Sequence, residues 1–189
     1  MRAGRPRDAA ADRAITAAAF ALLQEEGYRG LSIEAVAARA GVAKTTIYRR
    51  YPTKRELVVG AMIAETQIQP PPPGIDSREG IRGLVRQGVQ MLVGAGAMRI
   101  LATFLVEEER EPELMATFRA RLVEPRRAML LGLLRAGVER GEVRADADLD
   151  LVTEMMLGSV LAHQVRGGAP PDDAWIDALV ATLWAAIRA

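Results

Sequence analysis

Residues 70–74 read Pro-Pro-Pro-Pro-Gly. Neither a helix nor an internal sheet strand accommodates such a run, because each proline fixes φ and lacks an amide donor. The run is a stiff spacer, and it divides the 189-residue chain into a shorter N-terminal part and a longer C-terminal part. Both parts favour helix: the chain has 33 alanines and only 4% aromatics. Summed propensity therefore points to helix nearly throughout, and the expected fold class is all-α.

The net charge of +1 conceals an asymmetry. Residues 1–60 carry 11 Lys+Arg against 6 Asp+Glu, hence +5, whereas residues 61–189 carry 14 against 18, hence −4. A basic first third implies that this part meets a polyanion. The absence of cysteine excludes disulfides, thiolate metal sites and a cysteine nucleophile. The single histidine, His163, argues against an imidazole metal site and against a Ser–His pair. There is no Gly-rich phosphate loop either, so the expectation is a non-enzyme with no cofactor and no metal. No segment approaches the ~18–20 unbroken apolar residues of a membrane span. The apolar stretch 14–23 is flanked by Asp8, Asp12 and Gln24-Glu25-Glu26, so it reads as a buried helix face rather than a signal peptide. A cytoplasmic protein without a membrane partner is expected.

Residues 1–7, with Arg2, Arg5 and Arg7, read as a basic arm. It is either a solvated tail or a segment that enters a minor groove. Asp8 then caps a helix over 9–26 that Gly27 ends, and Ser32 caps a short helix to about Ala40. Gly41 breaks that helix, and another covers about 43–50. After Tyr51-Pro52, Thr53-Lys54-Arg55-Glu56 has capping-box form and launches a fourth helix to about Gln67. The predicted domains are thus 8–67 and 68–189. The second holds five further helices, near 77–93, 97–110, 112–140, 148–165 and 172–188, about nine in all. The helix at 97–110 is apolar all round, which predicts burial on every side. Pro125 kinks or divides the one at 112–140.

Residues 32–51 read SIEAVAARAGVAKTTIYRRY. Ile33, Val36, Ala37 and Ala40 line one face of the first short helix. Val42, Ile47 and Tyr51 line the inner face of the second, with Gly41 in the turn. This is a helix-turn-helix pattern, in which the second helix is offered to the major groove. Its outward positions are Lys44, Thr45, Thr46, Tyr48, Arg49 and Arg50, all donors and none acidic. A helical hairpin that simply faced water would carry mixed charge on that face.

The stretch from about Ala9 to Leu57 resembles the N-terminal domain of the TetR family of transcriptional regulators. The most specific part is KTTIYRRYPTKREL at 44–57, after Gly41-Val42. The resemblance implies base and phosphate contacts from Lys44, Thr45, Thr46, Arg49 and Arg50, and phosphate contacts from Tyr48 and Lys54. Ser32 is implied as a further phosphate contact. Two positions depart from the family pattern. Ala43 replaces a capping residue, and Glu34 stands where some relatives carry a basic base reader, which argues against base reading there.

The resemblance also implies dimerisation through the last two helices. The sequence points the same way, with Ile176, Leu179, Val180, Leu183 and Trp184 forming a wide apolar stripe and Gly158, Ser159 and Ala162 permitting close approach. A merely buried final helix is the alternative. Met91, Met98, Phe104, Met129, Met155 and His163 are candidate ligand-binding residues, since methionine suits a cavity for varied apolar molecules. Ordinary core filling is the alternative. The functional expectation is a homodimeric repressor that binds a palindromic double-stranded DNA operator and is released by a small apolar effector. Its alternative is a regulator with a filled core and no effector.

Overall fold

The structure, a computed structural model, describes residues 9–94, 96–167 and 169–189. Arg2, Arg5, Arg7 and the expected cap Asp8 lie outside the described residues. The α-helices are α1 (Ala9–Gly30), α2 (Ile33–Ala40), α3 (Lys44–Tyr48), α4 (Lys54–Glu65), α5 (Ser77–Val89), α6 (Ala97–Glu107), α7 (Pro112–Phe118), α8 (Glu124–Glu139), α9 (Leu149–Arg166) and α10 (Asp173–Ile187). A π-helical turn, Gln90–Gly94, extends α5, and another, Arg119–Val123, joins α7 to α8. Counting the unbroken helical stretch 112–139 once, the described residues form nine helices and no strand, so the fold is all-α. Pro125 sits in the first turn of α8, directly after the π-helical turn that separates it from α7.

Several helix starts follow from capping side chains. Ser32, Thr53, Asp148 and Asp172 each accept the backbone N–H three residues ahead, at 3.1, 3.2, 3.0 and 2.8 Å. Gly27 has φ 71°, which ends the regular run of α1 before a last turn through Gly30.

The chain divides into two compact units, 1–67 with 97–122, and 68–96 with 123–189. The expected head at 8–67 lies within the first unit, but α6 and α7, placed beyond the spacer by sequence, pack with it. Phe104 is the reason. It is fully buried, edge-on to Tyr28 at 6.4 Å and to Phe118 at 5.2 Å between ring centroids. Polar contacts reinforce this. The Tyr28 hydroxyl donates to Glu111 at 2.6 Å, Arg29 pairs with the buried Glu107 at 2.6 Å, and Arg55 pairs with Glu113.

The expectation that the helix at 97–110 is buried on every side is corrected. Ala97, Ile100, Phe104 and Glu107 are buried, but Leu105 and Val106 are 54% and 71% exposed. The inward stripe alone meets α1 and α7, and the apolar residues exceed what those neighbours cover.

In the second unit Ile81, Val85, Leu130, Leu134, Val152, Met156, Ile176, Val180 and Leu183 form the core. Arg82 and Arg86 on α5 pair with Asp177 and Asp173 on α10. Gly137 is a necessary small residue, since a Cβ there would stand 2.3 Å from Ser77 Oγ. Among the described residues no single helix is long and apolar enough to cross a membrane.

Candidate nucleic-acid interface

Helices α2 and α3 are joined through Gly41, whose φ of 66° and ψ of 33° are left-handed. Its N–H and that of Val42 bond back to Ala38 and Ala37 carbonyls at 3.3 and 3.0 Å, which closes the end of α2 and redirects the chain at once into α3. Ile47 is fully buried, as are Val36 and Leu57, so α3 is anchored by one side while the opposite side is left outward. The cap at Ala43 is without a side-chain hydrogen bond, as its methyl dictates.

Lys44, Thr45, Tyr48 and Arg49 are exposed, Tyr48 to 48%, and Thr46 is half-buried. Arg50 departs from the expected outward set, its side chain being only 12% exposed. It lies beyond the last residue of α3. Its Nε stands 3.4 Å from Asp12 Oδ1, and its Nη1 donates to the Thr46 carbonyl at 3.3 Å. The Tyr51 hydroxyl donates to the same Asp12 oxygen at 3.4 Å. Burial and then the Asp12 charge hold the Tyr51 phenol above its usual range. Asp12 thus ties α1 to the end of α3, a role that nothing local in the sequence signals.

Lys54 occupies the first position of α4. Its ammonium lies 4.5 Å from the Tyr28 ring centroid and 3.4 Å from the Arg29 carbonyl, and burial lowers its pKa. Ser32 Oγ is engaged by the Ala35 N–H. Lys44 Nζ donates to Glu34 at 2.8 Å, a hydrogen bond that raises the lysine pKa and lowers that of the glutamate. Arg39 makes a two-pronged bond to Glu25 at 2.9 and 2.8 Å, which fixes α2 on α1.

Both parts of the chain are similar to known proteins. The family model described as "Bacterial regulatory proteins, tetR family" matches residues 15–61. The model described as "Tetracyclin repressor-like, C-terminal domain" matches residues 71–183. The chain belongs to the TetR family. An uncharacterized HTH-type transcriptional regulator of Mycobacterium tuberculosis is 35% identical over 169 residues, 88% of this chain and 82% of the relative. The DNA-binding transcriptional repressor TetR of Mycobacteroides abscessus is 30% identical over 174 residues, 88% of each chain. The solved structure of another TetR family transcription regulator has a TM-score of 0.71 and 28% identity, covering 93% of this chain and 97% of that one. The FadR regulator of Bacillus subtilis, solved with stearoyl-CoA, shares the fold at TM-score 0.67 and 21% identity, covering 93% of this chain and 99% of that one. This TetR-family chain is therefore a DNA-binding, helix-turn-helix transcriptional regulator of repressor type and not an enzyme.

The remaining candidate residues are dispersed. Met98 and the buried Phe104 belong to the first unit of this TetR-family protein. Met91, Met129, Met155 and His163 belong to the second. Met91 Sδ stands 2.7 Å from Arg126 Nη1, and burial pulls the Arg126 pKa down to about 10. With its proton on Nε2, His163 donates to the Ala169 carbonyl at 3.2 Å, and its ring lies edge-on to Trp175 at 4.8 Å. Of the residues expected between protomers, Ile176, Val180 and Leu183 are buried in the chain's own core, with Leu179 and Trp184 packed against it. Gly158 and Ala162 are exposed, and the Ser159 hydroxyl donates to the Met155 carbonyl at 2.6 Å.

Proposed function

We propose that the protein is a cytoplasmic homodimer that binds a palindromic double-stranded DNA operator and blocks transcription there. The observation that carries this reading is the acid-free outward face of α3, with Lys44, Thr45, Tyr48 and Arg49 exposed around the buried Ile47. Lys44, Thr45, Thr46 and Arg49 read bases and adjacent phosphates. Tyr48, Lys54 and Ser32 hold phosphate oxygens, and Arg50 serves as a hinge-side cation that keeps α3 in place. Two copies related by a two-fold axis set their α3 helices about 34 Å apart, one turn of the duplex.

A small, largely apolar ligand releases the DNA, received within the second unit, where Met91, Met129 and His163 are half-buried, whereas the 49% exposed Met155 lies outside its interior and Met98 and Phe104 belong to the first unit. Support comes from the fold itself, which in FadR is seen with stearoyl-CoA. Such a ligand acts by favouring the dimer whose reading heads are wrongly spaced, so ~1–3 kcal/mol of coupling weakens operator binding by about 5–150-fold. The second reading, a filled core without effector, is favoured by the closure of Phe104 between two aromatic rings.

Selection of duplexes from a random pool by the purified chain tests the operator reading. An enriched inverted repeat is expected, and its absence would refute it. Thermal melts against a panel of lipophilic compounds then separate the two readings. A ligand at 100 times its Kd adds about 2.7 kcal/mol, and a panel without any shift favours the filled core.

A further inference from the structure

One ion pair stands on the surface offered to DNA. Lys44 is the first residue of α3, and its ammonium bonds Glu34, in the first turn of α2, at 2.8 Å. Both side chains are more than half exposed, at 53% and 64%, so the packing of the two helices does not depend on them. An unpaired acid in that place would only repel phosphate. A paired one sits beside the N-terminal end of α3, the part of a recognition helix that meets base edges.

The pair offers the groove a donor and an acceptor side by side. The ammonium has further N–H bonds to give, and the carboxylate has lone pairs to receive. A base pair displays the complementary set, because the exocyclic groups that join purine to pyrimidine are themselves a donor and an acceptor about 2.9 Å apart. The 2.8 Å separation of Lys44 Nζ and Glu34 Oε1 matches that spacing.

The flanking atoms decide between the two kinds of base pair. In G·C the acceptor O6 is followed by a second acceptor, N7, which suits the ammonium. The donor N4 of cytosine has no acceptor beside it to oppose the carboxylate. In A·T the acceptor O4 of thymine adjoins a methyl group, and the donor N6 of adenine adjoins the N7 lone pair, which repels the carboxylate. We infer that Lys44 and Glu34 act as one composite reader of a single G·C base pair in each half-site, Lys44 on guanine O6 and N7 and Glu34 on cytosine N4. This rests on the operator reading above.

The test is selection from a random duplex pool by the full chain, by Glu34→Gln and by Lys44→Met, with sequencing of the bound DNA. Glutamine keeps the shape of Glu34 but both donates and accepts, so it loses the preference for an amino group. The wild type is expected to select a G·C pair at one symmetric position over the alternatives by between about 5- and 150-fold. Both variants should reduce that preference below about threefold at the same position and leave the other positions unchanged. The inference is overturned if the variants relax different positions. It is equally overturned if Glu34→Gln strengthens binding to all sequences alike, which would make Glu34 a brake on phosphate attraction. A wild type that enriches no motif overturns the operator reading and this inference with it, whereas a clear motif indifferent to both variants overturns this inference alone.

Discussion

Asp12 is an acid in the basic third of the chain, and simple charge counting would assign it a penalty for DNA binding. The geometry gives it a different task, since it receives both Arg50 and the Tyr51 hydroxyl at 3.4 Å and so steadies the residues that follow α3. The two effects have opposite signs, which makes Asp12→Ala informative. Charge alone predicts tighter binding to any duplex. Loss of the tether predicts operator binding weaker by about fivefold, the value of roughly 1 kcal/mol for a partly exposed polar contact. Fluorescence anisotropy with a selected operator reads the difference, and tighter binding would dismiss the tether. The Arg50 result also marks a limit of reading residues one at a time. Ser32, Thr53, Asp148 and Asp172 are legible as caps because cap and recipient are three residues apart. Asp12 and Tyr51 are 39 apart, and nothing in either neighbourhood announces the other.

The same contrast appears among elements. The nine helices, the Gly41 turn and the break near Pro125 follow from periodicity, glycine and proline, all local properties. Which face of α6 is covered does not, because Leu105 and Val106 are as apolar as Ile100 and only tertiary packing distinguishes them. The start of α5 is a further case. Its cap Asp76 accepts the Glu79 N–H at 3.1 Å, while the next orphan donor, the Ser77 N–H, is taken by Glu142 at 2.9 Å from 65 residues away. Arg140 grips the same carboxylate, and this bond together with those from Ser77 holds the Glu142 pKa at about 2, against an ordinary 4.5. A folded-state pKa below the unfolded value means that the stabilisation is present in full above pH 4.5. It is lost as pH falls from there through about 2. The melting temperature of Glu142→Gln is therefore expected to lie below that of the wild type at pH 6, the gap narrowing as pH falls below 4.5 and closing only below about pH 2. Parallel melting curves across that window would show that the carboxylate charge contributes nothing.

At the scale of the whole molecule, the proposed dimer needs a surface for a second copy. The C-terminal stripe of α10 was legible as apolar, but Ile176, Val180 and Leu183 are consumed by the chain's own core. Within the second unit the large apolar side chains left exposed lie on α9. Val152, Met156 and Val160 point inward, while Leu151, Met155, Gly158, Ala162 and Val165 recur at helical spacing and are all exposed. In the proposed dimer such an apolar strip is the natural seam between protomers. Small Gly158 and Ala162 at its middle let two α9 helices approach closely. Met155→Glu tests this without disturbing the fold, since Met155 is about half exposed, at 49%, and belongs to no buried cluster. A two-fold axis would bring each new carboxylate near its symmetry mate in an apolar seam, where neither finds a cation. Monomers are expected in sedimentation velocity at micromolar concentration, with the thermal melt of each chain still cooperative. Operator affinity should fall more than tenfold, because the two half-sites are no longer bound by linked heads. A dimer that survives Met155→Glu with unaltered operator affinity would move the seam off α9.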